Sequence, residues 1–176
     1  MFSITKCNIT IDQFWQFVAE LGPKTRHQFD QFNHIERGGD TERQMWEDMM
    51  NTRHNFYGRL DDELIGYGFL QKFPKKKNVV SLGMVMSDRH QGYGYGKQMY
   101  KHITDWGLNR YTKIWSAVYE DNDAVLHIHK SLGYDLEGVF VEELNDGRSI
   151  YSLAKFRGKR RRTRYFELTE KWRRLK

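Results

Sequence analysis

The sequence predicts an α/β (α+β) domain built on a mixed, mostly antiparallel sheet of about seven strands, flanked by about four helices. Three observations lead there. The elements follow the order β-α-α-β-β-β-α-β-α-β-β. Asp146-Gly147 separates two strand-like runs near the end of the chain, a strong short signal for an antiparallel hairpin. The apolar run Val79–Ser87 passes directly into a glycine-rich turn and then a helix.

Phe2 to Lys6 reads as a short strand. Thr10 can then N-cap a helix whose Ile11, Phe14, Trp15, Val18 and Leu21 share one face, with Gly22-Pro23 as its stop. The stretch Lys24–Asp40 fits no single pattern. A second helix is expected over Thr41 to about Thr52, with Met45, Trp46 and Met49 turned inward. Asn55–Leu60 and Leu64–Phe73 form a hairpin around Asp61-Asp62-Glu63, and Pro74–Asn78 is a turn before the strand Val79–Ser87. A helix is expected over Tyr95–Arg110, where Met99, Tyr100, Ile103 and Trp106 make one stripe. Lys113–Glu120 is strand-like, and Asn122–Leu132 is helical with Gly133 at its C′ position. Tyr134–Leu144 and Arg148–Phe156 close the fold as two strands around Asn145-Asp146-Gly147.

The 176 residues suit one hydrophobic core. With 39% apolar and 30% charged residues, the composition argues against wholesale disorder. No apolar run approaches the ~20 residues of a membrane span, and Met1–Thr10 lacks the pattern of a signal peptide. Cys7 is the only cysteine, so no internal disulfide forms, and a cytoplasmic location is the expectation. The net charge of +6 is uneven: Lys155–Lys176 carries +9 and the remainder −3. Basic character therefore belongs to the tail, unlike a generally basic nucleic-acid-binding domain. The division expected is one folded domain over 1–156 and a basic C-terminal tail over 157–176. Tyr165–Leu175 is expected as a short helix within that tail.

The run Gln91-Gly92-Tyr93-Gly94-Tyr95-Gly96-Lys97 carries the chemistry. A glycine-rich turn at a helix N-terminus presents backbone N–H groups and the positive end of the helix dipole, and both favour a diphosphate. A P-loop requires Gly-Lys-Ser/Thr, which Gly96-Lys97-Gln98 does not supply. A dinucleotide fingerprint requires a third small residue where Lys97 stands. The loop instead resembles the acyl-CoA signature Q/R-x-x-G-x-G/A of the GCN5-related N-acetyltransferase (GNAT) superfamily, with Gln91, Gly94 and Gly96 at its defined positions. Leu82–Asp88 is similar to the family's fourth strand, and Asn122–Tyr134 to its second signature. The resemblance covers about residues 54–156, and the element order extends it toward the N-terminus.

The resemblance implies acetyl-CoA as cosubstrate and a sheet splayed between strands 4 and 5. Met84, Val85 and Met86 would pair with the pantetheine arm, Gln91–Lys97 would hold the pyrophosphate, and Asn122 would touch the cofactor or simply N-cap its helix. The family's usual tyrosine acid, four residues before the glycine of its Leu-Gly-Phe segment, is replaced here by His129. His129 is the candidate acid, and its place near a helix C-terminus is expected to favour its protonated form. Glu120 is the candidate base, with a water chain as the alternative. No histidine spacing suggests a metal.

The acceptor is expected to be a primary amine, such as an amino sugar or another small polar amine. Arg26, His27, Phe29, Phe32, His34 and Arg37 are candidates to receive a phosphorylated one, and the loop around Asn145-Asp146-Gly147 is expected to be short and leave that side open. Transfer to protein N-termini or lysines, or CoA binding without turnover, are the alternative functions. A homodimer, and contact of the tail with nucleic acid or an anionic surface, are the further partners considered.

Overall fold

The computed structural model describes residues 1–6, 9–28, 38–144, 146–159, 162 and 170. In chain order the elements are β1 (Phe2–Thr5), α1 (Ile11–Ala19), α2 (Pro23–Gln28), α3 (Asp40–Thr52), β2 (Arg53–Leu60), β3 (Glu63–Phe73) and β4 (Lys76–Met86). Then come α4 (Tyr95–Leu108), β5 (Lys113–Tyr119), α5 (Asp123–Ser131), β6 (Asp135–Phe140) and β7 (Ile150–Phe156). The seven strands form one mostly antiparallel sheet in the order β1-β2-β3-β4-β5-β7-β6, with β4 and β5 as its one parallel pair. The chain divides into two compact units. One holds residues 1–72 and 81–103, the other 73–80 and 104–176.

In the first unit the β1-β2-β3 meander is antiparallel, with Phe2 opposite Leu60 and Tyr57 opposite Tyr67. Alternation along β2 and β3 separates two faces. On one face Tyr57, Tyr67, Phe69 and Val85 pack with Phe14, Trp15, Phe17 and Val18 of α1 and Met49 of α3. Aromatic edges lock this layer: Phe14 meets Tyr67 edge-on at 5.2 Å. On the other face small residues admit α4. A Cβ on Gly66 would lie 3.1 Å from the Met99 sulfur, and one on Gly68 only 2.6 Å from Ile103 Cδ1. Helix α1 starts at the Thr10 cap as expected, and the structure adds Gln13, which completes a reciprocal capping box with it.

In the second unit β7 lies between β5 and β6, antiparallel to both, with Ile114 opposite Lys155 and Asp135 opposite Ala154. Asn78 joins this unit by accepting from the Thr112 backbone at 3.0 Å and the Thr112 hydroxyl at 2.9 Å. Lys113 Nζ lies 2.6 Å from both carboxylate oxygens of Glu137. At its end α5 closes in a Schellman arrangement: Tyr134 N–H donates to the His129 carbonyl, Gly133 N–H donates to Lys130, and Gly133 has φ +73°.

Three expectations change. The stretch after Gly22 contains a short helix, α2, which begins on Pro23, where the missing N–H costs nothing. The turn before β4 is shorter than expected, because β4 begins at Lys76. The last hairpin does turn at Asp146-Gly147, since Leu144 N–H donates to Arg148 and Gly147 N–H to Leu144. Its ladder, however, ends at Phe140, so residues 141–149 form a longer connection than the short loop expected. Glu142 at φ +51° breaks the strand there, and Arg148 is held by Asp146 at 2.8 Å and Asp121 at 3.4 Å. Asn145, Cys7 and the tail helix expected over Tyr165–Leu175, apart from Glu170, lie outside the described residues.

Candidate functional site

The glycine loop belongs to the first unit. After β4, Asp88–His90 makes one 3₁₀ turn, Gln91–Gly94 follows, and α4 begins at Tyr95. Its first intrahelical bond runs from Gln98 N–H to the Gly94 carbonyl, so the N–H groups of the preceding turn have no intrahelical acceptor. Gly92 and Gly94 adopt φ +84° and +85°, a conformation strained for any residue with a Cβ. A Cβ at either position would meet nothing within 4 Å. The space over this backbone is therefore open, and a side chain would occupy the very space a phosphate needs. Residues Gly92–Lys97 thus fit a diphosphate on both conformation and access.

The loop is anchored by a network the sequence reading did not single out. Asp88 accepts from Gly22 N–H at 2.7 Å and from the Thr25 hydroxyl at 2.6 Å. Gln91 Nε2 donates to Thr25 Oγ1 at 3.1 Å and to the Met86 carbonyl at 3.3 Å. Arg89 bridges Glu20 and Glu63. The turn between α1 and α2 is thereby pinned to the entry of the glycine loop. A charged residue directly after a buried strand was the available signal. Tyr93 is 72% exposed and stacks on Tyr95, whose other neighbour is Phe2.

On β4, Met86 lies over Gly66 and Met84 over Gly68, while Val85 turns into the opposite core layer. Gly83 lets the Phe69 ring rest on the strand: a Cβ there would be 2.4 Å from Phe69 Cζ.

The remaining candidates lie in the second unit. His129 of α5 is 1% exposed, as its position on the apolar stripe with Val125 and Ile128 implies. Its Nδ1 lies 2.8 Å from the Val125 carbonyl, which only accepts, so Nδ1 carries the proton. Its ring meets Tyr134 edge-on at 4.6 Å. Burial lowers its pKa from 6.5 to about 4, partly opposed by the bond to Val125. The expectation that the helix C-terminus favours the protonated form is thus corrected: desolvation outweighs the dipole and the imidazole is neutral near pH 7. The Tyr134 hydroxyl pairs with Thr104 at 2.8 Å, and burial raises its pKa.

Asn122 N-caps α5, accepting from Val125 N–H at 3.3 Å. Glu120 directly follows β5, is exposed, and accepts from Ser149 N–H at 3.0 Å. That bond ties the ends of β5 and β7 together and occupies one carboxylate oxygen. Arg26, an acceptor-side candidate, donates to the Val18, Ala19 and Leu21 carbonyls at the end of α1. Phe29, Phe32, His34 and Arg37 lie outside the described residues. Among the described residues no three His, Cys, Asp or Glu gather as a metal site, and no helix is long and apolar enough to cross a membrane.

Comparison with known proteins bears on this loop and this sheet. The sequence model of the acetyltransferase (GNAT) family matches residues 18–134. Among solved structures, the chain resembles spermidine N-acetyltransferase from Vibrio cholerae, solved with CoA and spermine, at 15% identity and a TM-score of 0.73, covering 89% of this chain and 95% of that one. It also resembles the ribosomal-protein-S18-alanine N-acetyltransferase from Escherichia coli at 15% identity and a TM-score of 0.68, covering 90% and 96%. A third similar structure is smu.2055 from Streptococcus mutans, at 15% identity and a TM-score of 0.71, covering 89% and 99%. The search of curated protein sequences found no match. On the family match over most of its length, the chain belongs to the acetyltransferase (GNAT) family, the acyl-CoA-dependent N-acetyltransferases whose cosubstrate is acetyl-CoA.

Proposed function

We propose that this protein transfers an acetyl group from acetyl-CoA to the primary amine of a small polar acceptor, by direct attack in a ternary complex. The observation that carries the reading is the Gly92–Lys97 turn, with its two positive-φ glycines and open approach at the start of α4. Gly92 to Lys97 receive the pyrophosphate through backbone N–H groups, and Gln91 holds the turn in place through Thr25 and Met86. Met84, Val85 and Met86 present strand backbone to the pantetheine amides, as the family pattern implies. Asn122 orders the start of α5 for the same cosubstrate.

Acetyl-CoA supplies an activated thioester: a C–N bond forms to the amine, the C–S bond breaks, the amine loses one proton and the CoA sulfur gains one. His129 stands at the family's acid position, but it enters the reaction neutral, with Nδ1–H committed to Val125 and Nε2 as the basic atom. It therefore serves as a proton relay: Nε2 takes up the proton that water removes from the amine and passes it to the CoA sulfur, so the ring is charged only between the two transfers. Glu120, exposed and bonded to Ser149, is the weaker candidate for the base, and water takes the amine proton in this account. Residues 1–156 form the catalytic part, with 157–176 as a basic appendage, and the cytoplasm is the compartment proposed.

The neutrality of His129 also favours a second reading, CoA binding without turnover. One assay separates them: release of free CoA thiol from acetyl-CoA across a panel of amines. Amine-dependent release supports transfer. Tight CoA binding with no release for any amine, protein N-terminal and lysine peptides included, supports the second reading.

A further inference from the structure

A ladder of three aromatic rings rises from the first unit's sheet and ends in the open, on the glycine loop itself. Its foot is Gly58 of β2. Phe2 and Gly58 share one face of the β1-β2 pair, and a Cβ on Gly58 would lie 3.2 Å from Phe2 Cε2, so the missing side chain makes room for the ring. Phe2 meets Tyr95 with centroids 4.7 Å apart and 31° between the planes. Tyr95 then stacks on Tyr93 at 6.2 Å and 25°. Gly58 is buried, Phe2 and Tyr95 are half-buried, and Tyr93 is exposed. Among the described residues Tyr95 is the only ring that Tyr93 meets.

Neither the core nor the phosphate chemistry calls for this last ring. Tyr93 adds nothing to the packed interior, and a diphosphate on the turn needs only backbone N–H groups and the two positive-φ glycines. A single exposed tyrosine is ordinary. Here the ring is held in one orientation by a stack rooted in the sheet, with one face on Tyr95 and the other bare. An aromatic face that is already ordered takes a flat ligand at little further cost in side-chain freedom.

The position says which ligand. Tyr93 stands between Gly92 and Gly94, and the space over both is open. It is the only side chain larger than hydrogen in that part of the turn. In CoA the adenosine is joined through one ribose to the pyrophosphate that the turn is proposed to hold. A purine is flat, and bases stack on aromatic side chains.

We propose that Tyr93, held by Tyr95 and Phe2, is the platform on which the adenine of acetyl-CoA stacks. This rests on the acetyl-CoA reading and deepens it. The base becomes part of donor recognition, and an acyl group carried on phosphopantetheine alone forgoes the contact. Tyr93 touches the base and none of the reacting atoms.

The test uses the full chain and two readouts. Calorimetric titration with CoA compares wild type, Y93A and Y93F. Y93A is expected to bind about tenfold more weakly, and Y93F, which keeps the ring, within about twofold of wild type. The second readout is the emission of the fluorescent analogue 1,N6-etheno-CoA at saturation, which stacking on a tyrosine quenches. Bound analogue is expected to be dimmer on wild type and Y93F than on Y93A. Because each protein is compared when fully occupied, this difference reports the contact and not the affinity. Unchanged affinity in Y93A, a loss in Y93F as large as in Y93A, or equal emission from analogue bound to wild type and Y93A overturns the assignment and leaves pyrophosphate binding by the turn standing. Failure of wild type to bind CoA at all would instead remove the functional reading on which it rests.

Discussion

Replacement of His129 by phenylalanine or asparagine tests the electrostatic character of the second unit's core. The fold pushes the pKa of this imidazole down from 6.5 to about 4, chiefly by burial. That gap corresponds to about 3 kcal/mol of stability at neutral pH that depends on protonation. The sign follows from which form the fold prefers. Above pH 6.5 both folded and unfolded chains carry neutral His129, and the contribution is complete. As the pH falls through 6.5 the unfolded chain takes up a proton that the folded chain refuses, and the contribution is lost progressively until pH 4. Urea unfolding at pH 7.5, 6, 5 and 4, compared between wild type and each variant, isolates this residue from the other titrating groups. The advantage of wild type over H129F is expected to shrink by about 3 kcal/mol from pH 7.5 to pH 4. An advantage constant across that range would mean that His129 protonates in the folded state as readily as in the unfolded one. The neutral relay would then be wrong, and the imidazolium acid suggested by its helix position would return. The phenylalanine variant loses the bond to Val125 at every pH, so only the pH dependence of the difference carries the conclusion.

Other perturbations reach the remaining parts of the account. Asp88→Ala removes the acceptor for Gly22 N–H and the Thr25 hydroxyl, and is expected to lower stability by about 1–3 kcal/mol and weaken acetyl-CoA binding several-fold; a melt and a titration indistinguishable from wild type would show that this network does not hold the loop. Gly83→Ala forces a Cβ to 2.4 Å from Phe69 Cζ, a clash expected to cost about 1–3 kcal/mol in urea unfolding, and no loss would mean that the ring moves freely off the strand. Glu120→Gln preserves an acceptor for Ser149 N–H but removes the charge, and turnover is expected to change little; a loss of about a hundredfold would instead mark Glu120 as the base.

What the sequence made legible follows the range of the interactions involved. The α1 cap was readable because Thr10 stands directly before the first residue of the apolar stripe, and the α5 terminus because Gly133 alone there tolerates positive φ. The loop was readable because glycines at 92, 94 and 96 are spaced as one local turn requires. The buried side of His129 was visible in its helical stripe, but its protonation was not: the helix terminus is a local feature, whereas desolvation depends on how closely the fold packs around the ring, Tyr134 among its neighbours. The last connection looked short because Asp146-Gly147 fixes the turn. The loss of ladder beyond Phe140 depends on Glu142 and on Arg148 reaching back to Asp121.

The central claim is that Gly92–Lys97 binds the pyrophosphate of acetyl-CoA, and calorimetric titration of wild type and Gly94→Val tests it most directly. Wild type is expected to bind acetyl-CoA with a Kd in the micromolar range, about −8 kcal/mol. Valine at position 94 would place a branched side chain on a backbone at φ +85° and in the open space above the turn, and binding should be lost while the fold persists by circular dichroism. Absence of binding in wild type, or undiminished binding in a folded Gly94→Val, would contradict the account.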